Sequence, residues 1–186
     1  MAYHSIVCVK QVPDTANITS EAMRDDGTVN RGALPTIFNP EDLNALETAL
    51  QIRDQYGGTV TALTMGPPKA ADVLRACLFR GADRAIMLTD RRAAASDTLA
   101  TSYILARAIN KIAETYGKYD FVFCGRQAID GDTAQVGPQC AEKLGIPQIT
   151  YLEELVRLTD DTVVVRRNVG NGWEIVEGTL PVLITV

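Results

Sequence analysis

The residues Gly125-Arg126-Gln127-Ala128-Ile129-Asp130-Gly131-Asp132-Thr133-Ala134-Gln135-Val136-Gly137-Pro138 carry the strongest fold signal in this chain. A short apolar run, Phe121-Val122-Phe123-Cys124, precedes them, and a helical pattern of apolar residues follows. A strand, a glycine-rich turn and a helix start are typical of an α/β fold, and they direct unpaired backbone N–H groups towards an anion. Taken alone, the turn predicts either a nucleotide site or an ordinary strand-to-helix connection, in which glycine and aspartate only allow the backbone to turn.

The side chains of this stretch have mixed charge. Arg126 supplies one positive charge, and Gln127 and Thr133 can hydrogen-bond a nucleotide. Asp130 and Asp132 would repel a phosphate beside them, so we interpret them as a helix cap, a ribose contact or turn formers.

The helix that follows can start at two places. If it begins at Thr133, Pro138 lies inside it and should bend it, whereas a start at Gly137 puts the proline at its first position. In either case the backbone from Gly131 to Val136 has N–H groups without helical partners.

Strands and helices alternate along most of the sequence. Continuous apolar runs favour parallel strands covered on both faces, so the alternation predicts a doubly wound, mostly parallel α/β sheet. The strands are predicted at Ser5–Val9, Val60–Met65, Ala85–Leu88 and Phe121–Cys124. The helices are predicted from an Asn39 cap to Gly57, over about Ala70–Phe79, from Ser96-Asp97-Thr98 to about Tyr116, and up to Gly145.

The carboxyl ends of parallel strands meet at one edge of the sheet, where ligands bind at the switch in strand order. We therefore expect Cys8–Asp14, Thr64–Pro67 and Cys124–Thr133 to converge on one crevice.

Two regions depart from the alternation. The connection Asp14–Phe38 is long, and Asp25-Asp26-Gly27-Thr28 within it predicts a hairpin turn. After Ile149 the pattern predicts a β-hairpin extension and a last strand, at Thr162–Arg167, Trp173–Glu177 and Val182–Val186, with the hairpin turn at Asn168–Gly172. We predict a single α/β nucleotide-binding domain over residues 1–186, with a βα core at 1–150 and the hairpin and final strand at 151–186. Because the chain ends inside an apolar strand, we expect a C-terminal segment to be missing.

Composition narrows the classes of function. The 186 residues are 46% apolar and 22% charged, as in a soluble globular protein. The net charge of −5 disfavours a general nucleic-acid binder. No apolar run reaches the roughly 20 residues of a membrane helix, and the start does not resemble a signal peptide, so we expect a cytoplasmic protein without membrane insertion.

The single histidine, His4, excludes a histidine-based metal site or catalytic triad. The four cysteines are expected to be buried and reduced.

Three blocks together resemble one family. They are Val7-Cys8-Val9-Lys10-Gln11-Val12-Pro13-Asp14-Thr15, then Asn39-Pro40-Glu41-Asp42 with Ala45–Leu50, then the Gly125–Pro138 stretch. In this order and spacing they closely resemble the β subunit of electron-transfer flavoproteins, and Thr64–Pro67 and Gly81–Asp83 fit the same pattern. The resemblance covers nearly the whole chain.

This resemblance implies a domain of the adenine-nucleotide-binding type that pairs with an α subunit carrying the redox-active FAD. The family's β subunits bind AMP in the simple members and a second FAD in the electron-bifurcating members. Carried over by motif, the adenosine and phosphate contacts would be Cys8, Val9, Asn39, Asp42, Met65, Gly125, Arg126, Gln127, Ala128, Ile129, Asp130, Gly131, Asp132, Thr133, Ala134, Gln135 and Val136.

Finer features are similar to the bifurcating group. They are Gly131–Pro138, Val12–Thr15 and Ser96–Ser102, and in that group Thr98 and Thr101 could reach the pyrophosphate or ribityl chain of a flavin. Ser96-Asp97-Thr98 can also be interpreted as a simple helix cap without a ligand. The resemblance thus favours FAD, with NADH as electron donor and electrons passing to acceptors such as acyl-CoA dehydrogenase and ferredoxin, flavodoxin or quinone.

Two alternatives stay open beside this electron carrier. One is a structural β subunit that binds AMP while the only FAD lies on the α subunit. The other is an adenylate-using enzyme of related fold, which is disfavoured because Lys10-Gln11-Val12-Pro13-Asp14 replaces the Ser-Gly-Gly-x-Asp-Ser-like phosphate loop after the first strand. No residue is expected to act as a catalytic acid, base or nucleophile. In the resembled family the β subunit continues past the strand that ends here at Val186, through a docking loop and an arm that wraps the partner, and we expect both to belong to the missing C-terminal segment.

Overall fold

Parallel strands form the centre of the computed structural model, which describes residues 2–14, 16 and 34–186. The strands are β1 (Tyr3–Cys8), β2 (Gln11–Pro13), β3 (Thr36–Phe38), β4 (Gly58–Met65), β5 (Arg84–Leu88), β6 (Phe121–Cys124), β7 (Gln148–Ile149), β8 (Leu152–Leu158), β9 (Thr162–Asn168), β10 (Trp173–Thr179) and β11 (Val182–Thr185). The helices are α1 (Pro40–Tyr56), α2 (Ala71–Phe79), α3 (Thr98–Tyr116) and α4 (Val136–Leu144), with short 3₁₀ turns at Pro68–Ala70 and Arg91–Ala93.

The central sheet has the strand order β5-β4-β1-β6-β11-β7, and all its pairings are parallel. From β1 the chain moves outward through β4 to β5, and α3 then returns it to β6 on the other side of β1. The strand order therefore switches between β1 and β6, whose last residues Cys8 and Cys124 are paired in register. This switch places the expected ligand crevice beyond Cys8 and Cys124.

Helices cover both faces of this sheet, because its strands are apolar on both sides. Val7 of β1 packs in one core with residues of α1, α2 and β9, such as Leu46 and Val163. Its neighbour Ile6 packs in a second core with Ile109 of α3 and Ala141 of α4. The predicted doubly wound α/β fold is confirmed.

Local signals account for the helix boundaries. Pro40 is the first residue of α1, and the Asp97 carboxylate caps α3 by accepting from the backbone N–H of Ala100 at 2.8 Å. Helix α4 begins at Val136, so Pro138 is its third residue and neither start proposed from the sequence was correct. A proline is accommodated there because first-turn N–H groups have no intrahelical acceptor.

The C-terminal hairpin of β9 and β10 is confirmed, and β11 joins the central sheet beside β6. The sequence did not predict β8, which pairs with β9 and makes a three-stranded antiparallel sheet. Two register shifts in β8 bring apolar residues inward at every third position, Leu152, Leu155 and Leu158, and so hide the alternation typical of a strand.

The long connection after Asp14 is only partly described. Strand β2, directly before this connection, pairs in antiparallel fashion with β3 at its end, and the sequence predicted neither strand. The hairpin turn expected at Asp25–Thr28 lies outside the described residues.

The four cysteines are free thiols, and each is buried, as predicted. Across the described part of the chain, no helix combines the length and the apolarity needed to cross a membrane.

The start of β4 depends on a glycine. Gly58 has φ +120°, and a Cβ there would lie 2.5 Å from the backbone nitrogen of Tyr3 in β1. We expect Gly58→Ala to lower the free energy of unfolding by about 3 kcal/mol, since it combines backbone strain with a steric overlap. Urea-induced unfolding measures this loss.

Gly172→Ala is the control, because a Cβ at Gly172 meets nothing within 4 Å. It should change the free energy of unfolding by less than about 0.5 kcal/mol. Equal losses in both variants would contradict the steric explanation.

Candidate functional site

The segment from Cys124 to the start of α4 curves across the carboxyl edge of the sheet; we name Gly125–Gln135 the β6–α4 turn. It lies against the start of α1, where Asn39, Glu41 and Asp42 are in contact with it. Three polar side chains from four consecutive residues thus hold one turn.

Asp42 joins the turn to the end of β1. One carboxylate oxygen accepts from the backbone N–H of Lys10 at 2.8 Å, and the other accepts from that of Gly125 at 3.2 Å. The Asp42 side chain is buried beneath these groups. Gly125 permits this approach, because a Cβ there would lie 2.5 Å from the Asp42 carboxylate.

Glu41 holds the first side chain of the turn. Its carboxylate accepts from Arg126 Nη2 at 2.7 Å and Nε at 3.1 Å, and from the backbone N–H of Gln127 at 3.0 Å. The charge of Arg126 is therefore paired within the protein. This paired geometry restrains both side chains more than a single contact would.

Asn39 bridges the next part of the turn. Its amide donates to the carbonyl of Gln127 at 2.9 Å, and its carbonyl oxygen accepts from the backbone N–H of Ile129 at 3.2 Å. Asn39 is the N-cap residue of α1, as the sequence predicted, but its side chain makes no hydrogen bond to the start of the helix. Both polar atoms of the Asn39 side chain instead bond to the β6–α4 turn.

The second half of the turn contains its carboxylates. Asp130 pairs with Lys10 at 2.6 Å, and Asp132 accepts from the side-chain amide of Gln127 at 2.9 Å. Asp132 and Ala134 have φ of +49° and +53°, a left-handed conformation that is uncommon for residues other than glycine. Such backbone is typical of functional turns in which N–H groups point to one side.

A row of N–H groups remains unpaired at this place. Among the described residues, no acceptor is bonded to the backbone N–H of Thr133, Ala134, Gln135, Val136 or Gly137. Gly131 and Asp132 were expected to belong to this row, but both donate to the carbonyl of Ala128. The free donors together with the start of α4 form a positive end suited to an anion.

Helix α3 begins beside this row. The hydroxyl of Thr98 lies 3.0 Å from the side-chain oxygen of Gln135, and Gln139 of α4 donates to Thr98 at 3.4 Å. Thr101 is half-buried one turn further along α3. The starts of α3 and α4 therefore border the same crevice.

The remaining predicted contacts lie at the strand ends. Cys8 ends β1, Val9 follows it, and Met65 ends β4, so the three expected segments converge on this edge. The Val9 N–H donates to Leu63, and its carbonyl accepts from Thr64 at 2.6 Å, so both groups are used within the sheet.

The thiol of Cys124, the last residue of β6, favours its protonated form. A side-chain hydrogen bond with Cys8 and burial together raise the pKa of the Cys124 thiol well above its ordinary value. A protonated, buried thiol is a poor nucleophile, so Cys124 has a packing role.

Two residues of this arrangement were not predicted as site residues. Lys10 pairs with Asp130, and Glu41 pairs with Arg126. The spacing of Asn39, Glu41 and Asp42 contained the signal for Glu41, but only Asn39 and Asp42 were predicted as nucleotide contacts.

Burial gives Asp42 an unusual titration. It raises the pKa of Asp42 from 3.8 to about 7, although hydrogen bonds from Asn39, Lys10 and Gly125 act in the opposite direction. The folded-state pKa of Asp42 lies above its unfolded value. The contribution of this carboxyl to the free energy of unfolding is therefore fully present below about pH 4 and is lost as the pH rises through about 7.

We predict that the Asp42→Asn variant lacks this pH dependence. The free energy of unfolding of the parent protein minus that of the variant should fall by on the order of 3 kcal/mol between pH 4 and pH 8. Urea unfolding at a series of pH values measures the difference, in which the titration of all other groups cancels. A difference that stays constant or rises with pH would contradict the prediction.

Comparison with known proteins gives the family. The model of the electron transfer flavoprotein domain matches residues 26–186. Protein FixA of Azorhizobium caulinodans is 53% identical over 185 residues, which are 98% of this chain and 65% of the relative. The electron transfer flavoprotein subunit beta of Clostridium acetobutylicum is 52% identical over 180 residues, 97% of this chain and 66% of the relative.

A third relative has a more specific name. The acryloyl-CoA reductase electron transfer subunit gamma of Anaerotignum propionicum is 49% identical over 179 residues, 96% of this chain and 65% of the relative. The chain thus spans about 65% of the length of these curated relatives. Identities near one half over almost the whole chain establish common descent, and the chain belongs to the electron transfer flavoprotein family, in the group of its β subunits.

Proposed function

We propose that this chain binds an adenine nucleotide along the β6–α4 turn and works in electron transfer beside an α subunit that carries FAD. The observation that supports this most strongly is the row of unpaired N–H groups from Thr133 to Gly137 at the start of α4. The row lies at the switch in strand order, where nucleotides bind in doubly wound sheets.

Backbone recognition fits the charges of the site. Arg126 and Lys10 are paired with Glu41 and Asp130, so the phosphate would be held chiefly by main-chain donors. Asp132 and Ala134 have left-handed backbone, a conformation that occurs in anion-binding nests.

We infer FAD rather than AMP as the nucleotide. The contact between Thr98 and Gln135 places the starts of α3 and α4 side by side, so the two phosphates of a dinucleotide could each meet one helix start. AMP, which needs only the β6–α4 turn, is the second candidate, in a subunit with a purely structural nucleotide.

The chain's own residues bind and orient the cofactor. A bound flavin would supply the redox chemistry. Gly125–Val136, with Thr98 and Thr101, would hold the nucleotide, while Asn39, Glu41 and Asp42 hold the turn in position.

The electron path is part of the same proposal. NADH is the expected donor, and acyl-CoA dehydrogenase-type enzymes, ferredoxin, flavodoxin or a quinone-linked protein are the expected acceptors, in the cytoplasm. One relative is named as the electron transfer subunit of an acryloyl-CoA reductase, which supports an acyl-CoA-linked acceptor. Bifurcation would follow if both subunits carry a flavin.

Identification of the released nucleotide tests the proposal. The complex with the α subunit is denatured, and the nucleotides are separated by chromatography and identified by mass. We expect two FAD per heterodimer. One FAD with one AMP would favour the structural alternative, and one FAD without a second nucleotide would contradict a nucleotide site on this chain.

The variant Gly131→Val tests the position of the site. A Cβ at Gly131 meets nothing within 4 Å, so the fold should be unchanged, whereas a branched side chain would block close approach of a nucleotide to the turn. We expect the second nucleotide to be lost, with the unfolding midpoint in urea unchanged for the nucleotide-free proteins.

Gly172→Val is the matched control, because Gly172 is equally open but lies in the turn between β9 and β10. It should retain the nucleotide at the parent stoichiometry. Full retention by Gly131→Val as well would show that the site lies elsewhere.

A further inference from the structure

The candidate nucleotide site has more negative than positive side chains. Asp130, Asp132 and Glu41 surround the β6–α4 turn together with the buried Asp42, whereas the cations are Lys10 and Arg126. Each cation is bound to a carboxylate, at 2.6 Å for Lys10 and 2.7 Å for Arg126. The side chains thus leave no excess positive charge for phosphates.

The carboxylates are fixed near the free N–H groups. Asp132 directly precedes the donor row that begins at Thr133, and Gln127 holds its side chain at 2.9 Å. The Asp130 carboxylate is largely shielded from solvent at 12% exposure while it binds Lys10. Backbone donors can bind one or two phosphates, but any further negative charge is added to a turn that already carries the Asp130 and Asp132 carboxylates.

We propose that Asp130 and Asp132 determine the charge selectivity of this site, so that it accepts a nucleoside monophosphate or a diphosphate diester and excludes nucleoside triphosphates. The inference rests on the proposed nucleotide site and specifies its ligand class.

The charges of the ligands explain the selectivity. A phosphate monoester carries about two negative charges at neutral pH, and a diphosphate diester also carries about two. A triphosphate carries about four and adds like-charge repulsion in a partly desolvated crevice, where screening by salt is weaker than in bulk water. Neutral adenosine contacts are common to all these ligands, so phosphate charge separates them.

Competition among nucleotides tests the inference on the complex with the α subunit, after the nucleotide of this chain has been removed. AMP, ADP and ATP are titrated by calorimetry with EDTA present, at low and at high ionic strength. We expect AMP to bind at least tenfold more tightly than ATP at low salt, with ADP between them and a smaller ratio at high salt.

Two variants identify the responsible groups. Asp132→Asn keeps an oxygen that can accept from Gln127, and asparagine tolerates the left-handed conformation at φ +49°. Asp130→Asn removes one charge and frees Lys10. In each variant the ratio of AMP affinity to ATP affinity should be at least threefold smaller than in the parent protein, chiefly because ATP binds more tightly.

Asp161→Asn is the control, because it changes the net charge equally at an exposed position in the turn between β8 and β9. The ratio should stay at its parent value. ATP binding as tight as AMP in the parent protein would overturn the inference, as would a ratio that neither turn variant alters or that Asp161→Asn alters equally.

The two proposals fail in different ways. If AMP binds and ATP binds equally well, the nucleotide site stands and the charge selectivity is wrong. If none of the three nucleotides nor FAD binds, the proposed site itself is wrong and the selectivity is overturned with it.

Discussion

The carboxylate of Asp42 lies at the centre of this structure, between the ends of two strands that face the crevice. It accepts one N–H from Lys10, two residues beyond the end of β1 at Cys8, and one from Gly125, which follows β6. These strands flank the switch in strand order, and the crevice between them depends on their distance. Because both oxygens are buried and engaged, replacing this group would leave backbone donors without partners, which is costly in a protein interior.

From this anchor the start of α1 determines the path of the whole β6–α4 turn. Glu41 holds Gln127 and Arg126, and Asn39 holds Gln127 and Ile129, so restraints on consecutive residues come from one rigid helix end. Such a turn is organised before any ligand arrives, and a ligand then loses less binding energy to ordering of the protein. The left-handed residues Asp132 and Ala134 occur directly beyond this restrained part.

The relatives of the chain relate it to electron transfer. Family membership places the chain among electron transfer flavoprotein β subunits, and relatives named as electron transfer subunits share about half of its residues. A protein of this class needs to hold a cofactor at a defined position, and it has no need of catalytic side chains. The protonated Cys124 thiol and the paired Lys10 and Arg126 are consistent with that requirement.

The sequence by itself determined the four main strands, the helices between them and the convergence of three strand-end segments, because apolar periodicity and capping residues are local signals. It also identified the family through motifs such as Asn39–Asp42. Only the tertiary structure showed that Asn39 and Asp42 engage the turn, since their partners are more than 80 residues away for Gly125, Gln127 and Ile129. It likewise revealed β8, whose register shifts disguise its alternation, and the start of α4 at Val136. Pairings between distant residues depend on how the sheet is assembled, and no local pattern of residues encodes that assembly.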